Sequence, residues 1–216
     1  MSENIPEKGA IVQRDGKTFA IKPHIPGGII QPEKLITIAE VAKKYGLVLK
    51  ITSAQRIAIV EVQEKDIDNI WNELGMAHAA IGPRVRSVKI CVGNTFCKKG
   101  QQDSVGIGLK LDQRYHGMEL PSKMKMGVSG CMNSCSESVT KDIGIMGTSN
   151  GFRLYAGGNS GLNPRLGDLI AEELSEDETL DLVDRIINFY KRKNQKKRLG
   201  SVIDEIGLDA FKAEVL

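Results

Sequence analysis

The sequence predicts an α+β protein built in two parts, and three observations carry that expectation. Between Lys17 and Gly82 the apolar pattern changes period in the order strand, helix, strand, strand, helix. A Gly82-Pro83 pair then interrupts it. Beyond Arg84, short strand-like runs and glycine-rich segments lead into one long amphipathic helix and a short helical tail. With 216 residues, 41% of them apolar, the chain is long enough to give both parts a core.

Residues 1–16 read as a loose arm. Thr18 to Lys22 is a short apolar segment ended by Pro23, Pro26, Gly27 and Gly28. A helix follows Pro32, with Leu35, Ile38, Ala39, Ala42 and Tyr45 on one face and Gly46 as its stop. Leu47–Thr52 and Ile57–Val62 read as strands, and a second helix from about Lys65 presents Ile67, Ile70, Trp71 and Leu74 before Gly75. In the second part, Val88–Val92 is a strand. Ser104–Tyr115 is a helix with Val105, Gly108, Leu109 and Leu111 turned inward. Lys123–Val128 alternates as a half-buried strand does, and Ile143–Met146 with Phe152–Tyr155 forms a hairpin around Asn150-Gly151. Ser175 and Glu178 have capping-box spacing and open a helix to about Lys193, whose stripe is Leu180, Val183, Ile186, Ile187 and Tyr190. Residues 199–216 supply one or two short helices.

The net charge is +3, and six cations lie in one stretch, Lys191, Arg192, Lys193, Lys196, Lys197 and Arg198; without them the remainder is slightly acidic. That distribution argues against a general nucleic-acid binder, and the run has no interleaved aromatic residues. It reads as a solvated helix end where cations also suit the helix dipole, with docking of an acidic ferredoxin as the functional alternative. No apolar run approaches the ~18 residues a bilayer span requires. The polar start, with Glu3 and Glu7, is not a signal peptide, so the expected compartment is the cytoplasm.

Four cysteines in such a chain point to metal ligation or catalysis before disulfides. Cys91 and Cys97 are separated by five residues, Cys131 and Cys135 by three, and 33 residues divide the pairs. Four thiolates hold either a zinc ion or a cubane cluster. Structural zinc favours tighter knuckles, and Gly93, Gly100, Gly127 and Gly130 provide the close backbone approach a cluster needs. Zinc, or four unrelated buried thiols, remains open on spacing alone.

The wording around the cysteines is more specific. Lys89–Cys97 (KICVGNTFC), Lys123–Cys135 (KMKMGVSGCMNSC) and Asp142–Gly147 (DIGIMG) strongly resemble the siroheme and 4Fe–4S domain of sulfite and nitrite reductases. All three elements of that family's pattern occur in order. The N-terminal part resembles the family's ferredoxin-like half-domain through Pro26-Gly27-Gly28, Lys43-Lys44-Tyr45-Gly46 and the strand leading to Thr52. The resemblance implies an arm over 1–16, a ferredoxin-like half-domain over 17–82 and a reductase domain over 83–216, together covering nearly the whole chain.

The resemblance also implies roles. Cys91, Cys97, Cys131 and Cys135 would hold the 4Fe–4S cluster, and Cys135 would bridge to the siroheme iron. Lys123 and Lys125 match the family's lysine pair, and Arg86 matches an active-site arginine; cations suit an anionic substrate such as sulfite or nitrite. Arg84, Lys22 and Asn133 are further candidates for contact with the cofactor. One departure stands out. Ala54 in Thr52-Ser53-Ala54-Gln55 occupies the place of a family arginine at the heme site, and Arg56, two positions on, is the expected substitute, since side chains two apart on a strand share a face. If Arg56 does not substitute, the chain is read as an electron-transfer or sensing module instead. His24 and His116 read as structural before catalytic. Met118, Met124, Met126, Met132 and Met146 read as pocket or core lining.

Enzymes of this family usually carry two copies of the unit, and this chain carries one. A two-fold homodimer, or a higher homo-oligomer, would rebuild the arrangement. No flavin or nicotinamide fingerprint is present, since Gly106-Ile107-Gly108 lacks the third glycine. Electrons are therefore expected from a separate carrier such as a ferredoxin, for the reduction of sulfite to sulfide or of nitrite.

Overall fold

Why a strand pairs where it does is set by which face it must bury, and both sheets of this protein show it. The computed structural model describes residues 3–216. The chain divides into two compact units, Met1–Ile81 and Gly82–Leu216.

The first unit contains β1 (Ile11–Val12), β2 (Thr18–Ile21), α1 (Pro32–Tyr45), β3 (Val48–Ile51), β4 (Ile57–Gln63) and α2 (Ile67–Leu74). Its sheet has the order β1-β2-β4-β3 and every pairing is antiparallel. Residues 5–12, expected to be loose, are ordered: Ile5 bridges Ala10, and β1 extends the sheet beside β2. The reason is local, because Ala10 is fully buried and draws the segment onto the core. Phe19, Ile21, Ile38, Ile59, Val62, Ile67 and Ile70 form that core.

Helix α1 ends at Gly46 in the left-handed conformation that a Cβ disfavours. Its buried stripe is Ile38, Val41 and Ala42, whereas Leu35 is 45% exposed and Ala39 is exposed too. The expected face was rotated. Positions 38, 41, 42 and 45 have the same helical spacing as 35, 38, 39 and 42, and the core selected the former.

The second unit contains β5 (Lys89–Ile90), α3 (Gly93–Phe96), α4 (Ser104–Tyr115), β6 (Met126–Ser129), β7 (Ile143–Thr148), β8 (Gly151–Ala156), β9 (Asp168–Leu174), α5 (Glu176–Lys193), α6 (Leu199–Ile206) and α7 (Leu208–Val215). The strand order is β5-β6-β7-β8-β9, with β5, β6 and β7 parallel and the rest antiparallel. All four residues of β6 are buried, so only Lys123–Met126 alternates as expected; a central parallel strand is covered on both faces. Strand β9 was not legible. Its pairing with β8 shifts register twice, and Glu173 is left-handed, which erases a period of two.

Helix α4 buries Ile107, Gly108 and Leu111, while Val105 and Leu109 are only partly covered. Helix α5 opens with the expected capping box between Ser175 and Glu178. Its buried stripe contains the five expected residues and also Leu182 and Phe189. Phe189 meets Phe211 of α7 edge-on at 5.0 Å, closing the core. No helix among the described residues is long and apolar enough to cross a membrane.

Candidate cluster and anion site

Both cysteine pairs follow the carboxyl ends of parallel strands, the end where open α/β sheets expose loops for ligands. Cys91 leaves β5 and donates its backbone N–H to Val128 of β6 at 2.9 Å. Cys131 follows Gly130 directly after β6. Gly130 locks the two loops together. Its N–H donates to Cys91 Sγ at 3.1 Å, and its carbonyl accepts from Gln101 and Gln102 at 2.8 and 3.0 Å.

A side chain at Gly130 has no room, because a Cβ there would stand 2.6 Å from Gly93 Cα and 2.9 Å from Gln102 O. At Gly147, a Cβ would meet Gly130 O at 2.6 Å. Glycines from all three motifs therefore converge on one backbone crossing.

Cys91 Sγ also accepts from the Gly93 N–H at 3.4 Å and lies 3.4 Å from Ser104 Oγ. Cys97 follows α3, and its N–H reaches Gly93 O at 2.9 Å. Cys91 and Cys131 are half-buried, Cys97 and Cys135 exposed, and none is in a disulfide. No three His, Cys, Asp or Glu side chains among the described residues are grouped so as to hold a single metal ion.

The turn carrying Cys135 returns along β6 on a chain of hydroxyl bonds. Ser136 donates its N–H to Ser129 Oγ at 3.1 Å and its hydroxyl to Val128 O at 2.6 Å. Ser129 Oγ and Ser138 Oγ are 2.9 Å apart, and the Ser138 N–H reaches Ser134 Oγ at 3.1 Å. These serines were not singled out in sequence, although their alternation after Cys131 was the available signal. Asn133 and Met132 are exposed on this turn, whereas Met124, Met126 and Met146 belong to the interior.

Lys123 and Lys125 precede β6 and are both exposed. The Lys125 N–H donates to Asp142 Oδ2 at 2.7 Å. Partial burial lowers the Lys125 pKa, and the neighbouring charges of Lys123, Arg198 and Lys141 add to the effect. Arg198, paired with Asp142, and Lys141, paired with Glu137, thus act on Lys125, and sequence spacing alone did not reveal them. Lys191, Arg192 and Lys193 do end α5, as expected of the basic run, but Arg198 departs from the reading as a solvated helix end. It lies at the start of α6 and clamps the buried Asp142, while Arg192 and Lys193 pair with Glu214 and Lys197 with Glu205. Burial pushes the Asp142 carboxyl up, and the Arg198 fork opposes that push.

Arg86 is half-buried, bonds its backbone N–H to Met124 O at 2.9 Å and donates a guanidinium N–H to Gly82 O at 2.9 Å. Arg84 pairs with Glu119 at 2.7 Å. His116 ends α4, its N–H donating to Asp112 O.

Lys22, His24 and Arg56 lie in the first unit. Lys22 accepts the Ala79 N–H on its carbonyl at 2.8 Å, and the His24 N–H donates to Ala77 O at 2.8 Å. Residues 52–56 form a turn, not a strand, so shared-face alternation does not relate Arg56 to Ala54. Instead, Arg56 Nε donates to the Ala54 carbonyl at 3.3 Å, which keeps the guanidinium at the same turn. The matched glycine turn packs there as well, with Gly28 so close that a Cβ would meet Gln55 Cβ at 2.8 Å.

Comparison with known proteins gives this geometry its family. Residues 81–216 match the nitrite and sulphite reductase 4Fe-4S domain, and residues 11–77 match the nitrite/sulfite reductase ferredoxin-like half domain. The chain belongs to the nitrite and sulfite reductase family. It is 40% identical over 212 residues to the assimilatory-type sulfite reductase of Nitratidesulfovibrio vulgaris, covering 97% of each chain. It is 39% identical to the nitrite reductase (NADH) large subunit of Escherichia coli, over 96% of this chain but 25% of that one.

Among solved structures, dissimilatory sulfite reductase I superposes with a TM-score of 0.82 at 14% identity, over 92% of this chain and 69% of that one. The Mycobacterium tuberculosis NirA protein superposes with a TM-score of 0.78 at 19% identity, over 97% and 42%. Both likenesses concern the fold, a ferredoxin-like half-domain followed by the reductase α+β domain. Siroheme and the 4Fe–4S cluster are the cofactors of this oxidoreductase family. The residues present fit a cluster: four free thiols sit on two interlocked loops, and backbone N–H groups aim at the Cys91 sulfur, an interaction that tunes iron–sulfur centres.

Proposed function

We propose that the protein is a siroheme and 4Fe–4S sulfite reductase that produces sulfide with electrons from an external carrier such as a ferredoxin. The observation that carries this reading is the Gly130 crossing, which joins both cysteine loops through the Cys91 sulfur at the end of the strand that follows Lys123 and Lys125. In this reading Cys91, Cys97, Cys131 and Cys135 would hold the cluster, and Cys135 would also help to hold the siroheme. Lys123, Lys125 and Arg86 bind and orient the anion. Arg84 and Asn133 would contact the tetrapyrrole.

When bound, the cofactor pair supplies the electron path and the metal position for the anion; the protein contributes placement and charge. Basic side chains lower the cost of bringing a small anion out of water. A homodimer or higher homo-oligomer is the assembly this reading favours, because it would rebuild the two-unit arrangement usual in the family's enzymes.

Near full-length similarity to a sulfite reductase supports sulfite as substrate. Nitrite is the second reading, supported by nitrite reductase relatives at 37–43% identity. The test is turnover of anaerobically purified protein with reduced viologen. Sulfide from sulfite at a higher kcat/KM than ammonia from nitrite is the expected result. The reverse order favours nitrite, and neither product from a cofactor-loaded sample contradicts both readings.

A further inference from the structure

Glu137 lies two residues beyond Cys135, and Lys89 two residues before Cys91. Glu137 Oε1 accepts from Lys89 Nζ at 2.8 Å, and Oε2 accepts from Lys141 Nζ at 2.9 Å. Each carboxylate oxygen is thus committed to a different lysine, one on the Cys91 strand and one next to Asp142 of the third motif. The two lysine side chains are 15% and 8% exposed.

The backbone supports a positioning role. Ser134 and Glu137, on either side of Cys135, have φ of 52° and 55°. A non-glycine residue holds that left-handed conformation when its surroundings impose it. The hydroxyl bonds described above fix the chain around Ser136, and the Glu137 bridge fixes the exit of the turn.

We propose that Glu137 is a positioning residue for the cysteine centre. Bridged between Lys89 and Lys141, it holds the Cys135 turn against the strand that leads into Cys91 and fixes two ammonium groups on the segments flanking the cysteine loops. Four thiolates make a cluster anionic, so fixed charges close to its ligands shift its reduction potential. This inference rests on the cysteines holding a cluster, as in the reading above.

The test compares the unaltered holoprotein with Glu137→Gln and with the charge-balanced pair Lys89→Gln and Glu137→Gln, all purified anaerobically. Cluster potential is read by redox titration, and iron loss by transfer to a chelator. Glu137→Gln removes a negative charge, which favours the reduced cluster, so its potential is expected to rise. Its iron loss is expected to be roughly tenfold faster, the scale on which partners of metal ligands act. The double variant is expected to bring the potential back towards that of the unaltered protein while iron loss stays fast. A Glu137→Gln protein with unchanged potential and unchanged iron loss overturns this inference alone. An unaltered protein without any cluster overturns the underlying reading too. If Glu137→Gln does not fold, Glu137→Asp gives the same test, because a shortened carboxylate keeps the charge but loses one lysine: unchanged iron loss there also overturns the proposal.

Discussion

Arg198 grips Asp142 with two guanidinium nitrogens, Nε to Oδ1 at 2.7 Å and Nη2 to Oδ2 at 2.6 Å. The Asp142 side chain is 1% exposed and that of Arg198 19%. This pair joins the start of α6 to the third motif, and Asp142 also accepts the Lys125 N–H. Removing the cation leaves a buried carboxylate without its partner. Arg198→Ala is therefore expected to cost ~3–5 kcal/mol, read by urea denaturation. Lys197→Ala, which breaks an exposed pair with Glu205, is expected to change stability by less than ~1 kcal/mol.

The Gly130 crossing gives a second expectation. Gly130→Ala forces a methyl group into Gly93 and Gln102, so the loops must separate. A loss of ~1–3 kcal/mol is expected from the overpacking, with lower iron content after anaerobic reconstitution. Normal iron content with unchanged stability would mean that the loops are not held by this contact.

Helix α5 depends on its first turn. The Ser175 hydroxyl accepts from the Glu178 N–H while the Glu178 carboxylate accepts from the Ser175 N–H. Ser175→Ala is expected to cost ~1 kcal/mol in thermal or chemical unfolding, with no effect on the absorption of the loaded protein.

Two groups set distinct pH dependences. Hydrogen bonds from Lys89 and then Lys141 draw the Glu137 carboxyl from an ordinary 4.5 down to about 2. A depressed carboxyl stabilises the fold fully above the unfolded value. That contribution is lost as pH falls from 4.5 through about 2. Glu137→Gln should therefore flatten the acid limb of stability in that window, followed by circular dichroism. Lys125 behaves in the opposite range, because burial and its cationic neighbours lower its pKa. Anion binding that depends on Lys125 should weaken at a pH below the ordinary lysine value of 10.5, and Lys125→Arg should extend binding to higher pH.

Much of the site was legible because its chemistry is written locally. The cysteine spacings, the glycines around them and the family wording pointed to both loops, and the fold around them follows the expected order of strands and helices apart from α3 and β9. The capping box and the stripe of α5 were readable because both are short-range features. What escaped depends on contacts across the sequence. Arg198 looked like one cation in a basic run, and only folding brings it to Asp142, 56 positions away. Nothing in the sequence links Lys89, Glu137 and Lys141, and only the folded turn after Cys135 brings Glu137 to both lysines. Strand β9 was hidden by its own irregular register, and α1 offered two equivalent stripes between which only the core could choose.

The most direct measurement is the visible spectrum of anaerobically purified protein, with iron and acid-labile sulfide counted, beside that of Cys135→Ser. A tetrapyrrole band together with cluster iron in the unaltered protein, bleached or strongly displaced by the substitution, is the predicted result. An identical chromophore in both proteins, or a colourless protein with no sulfide, would contradict it.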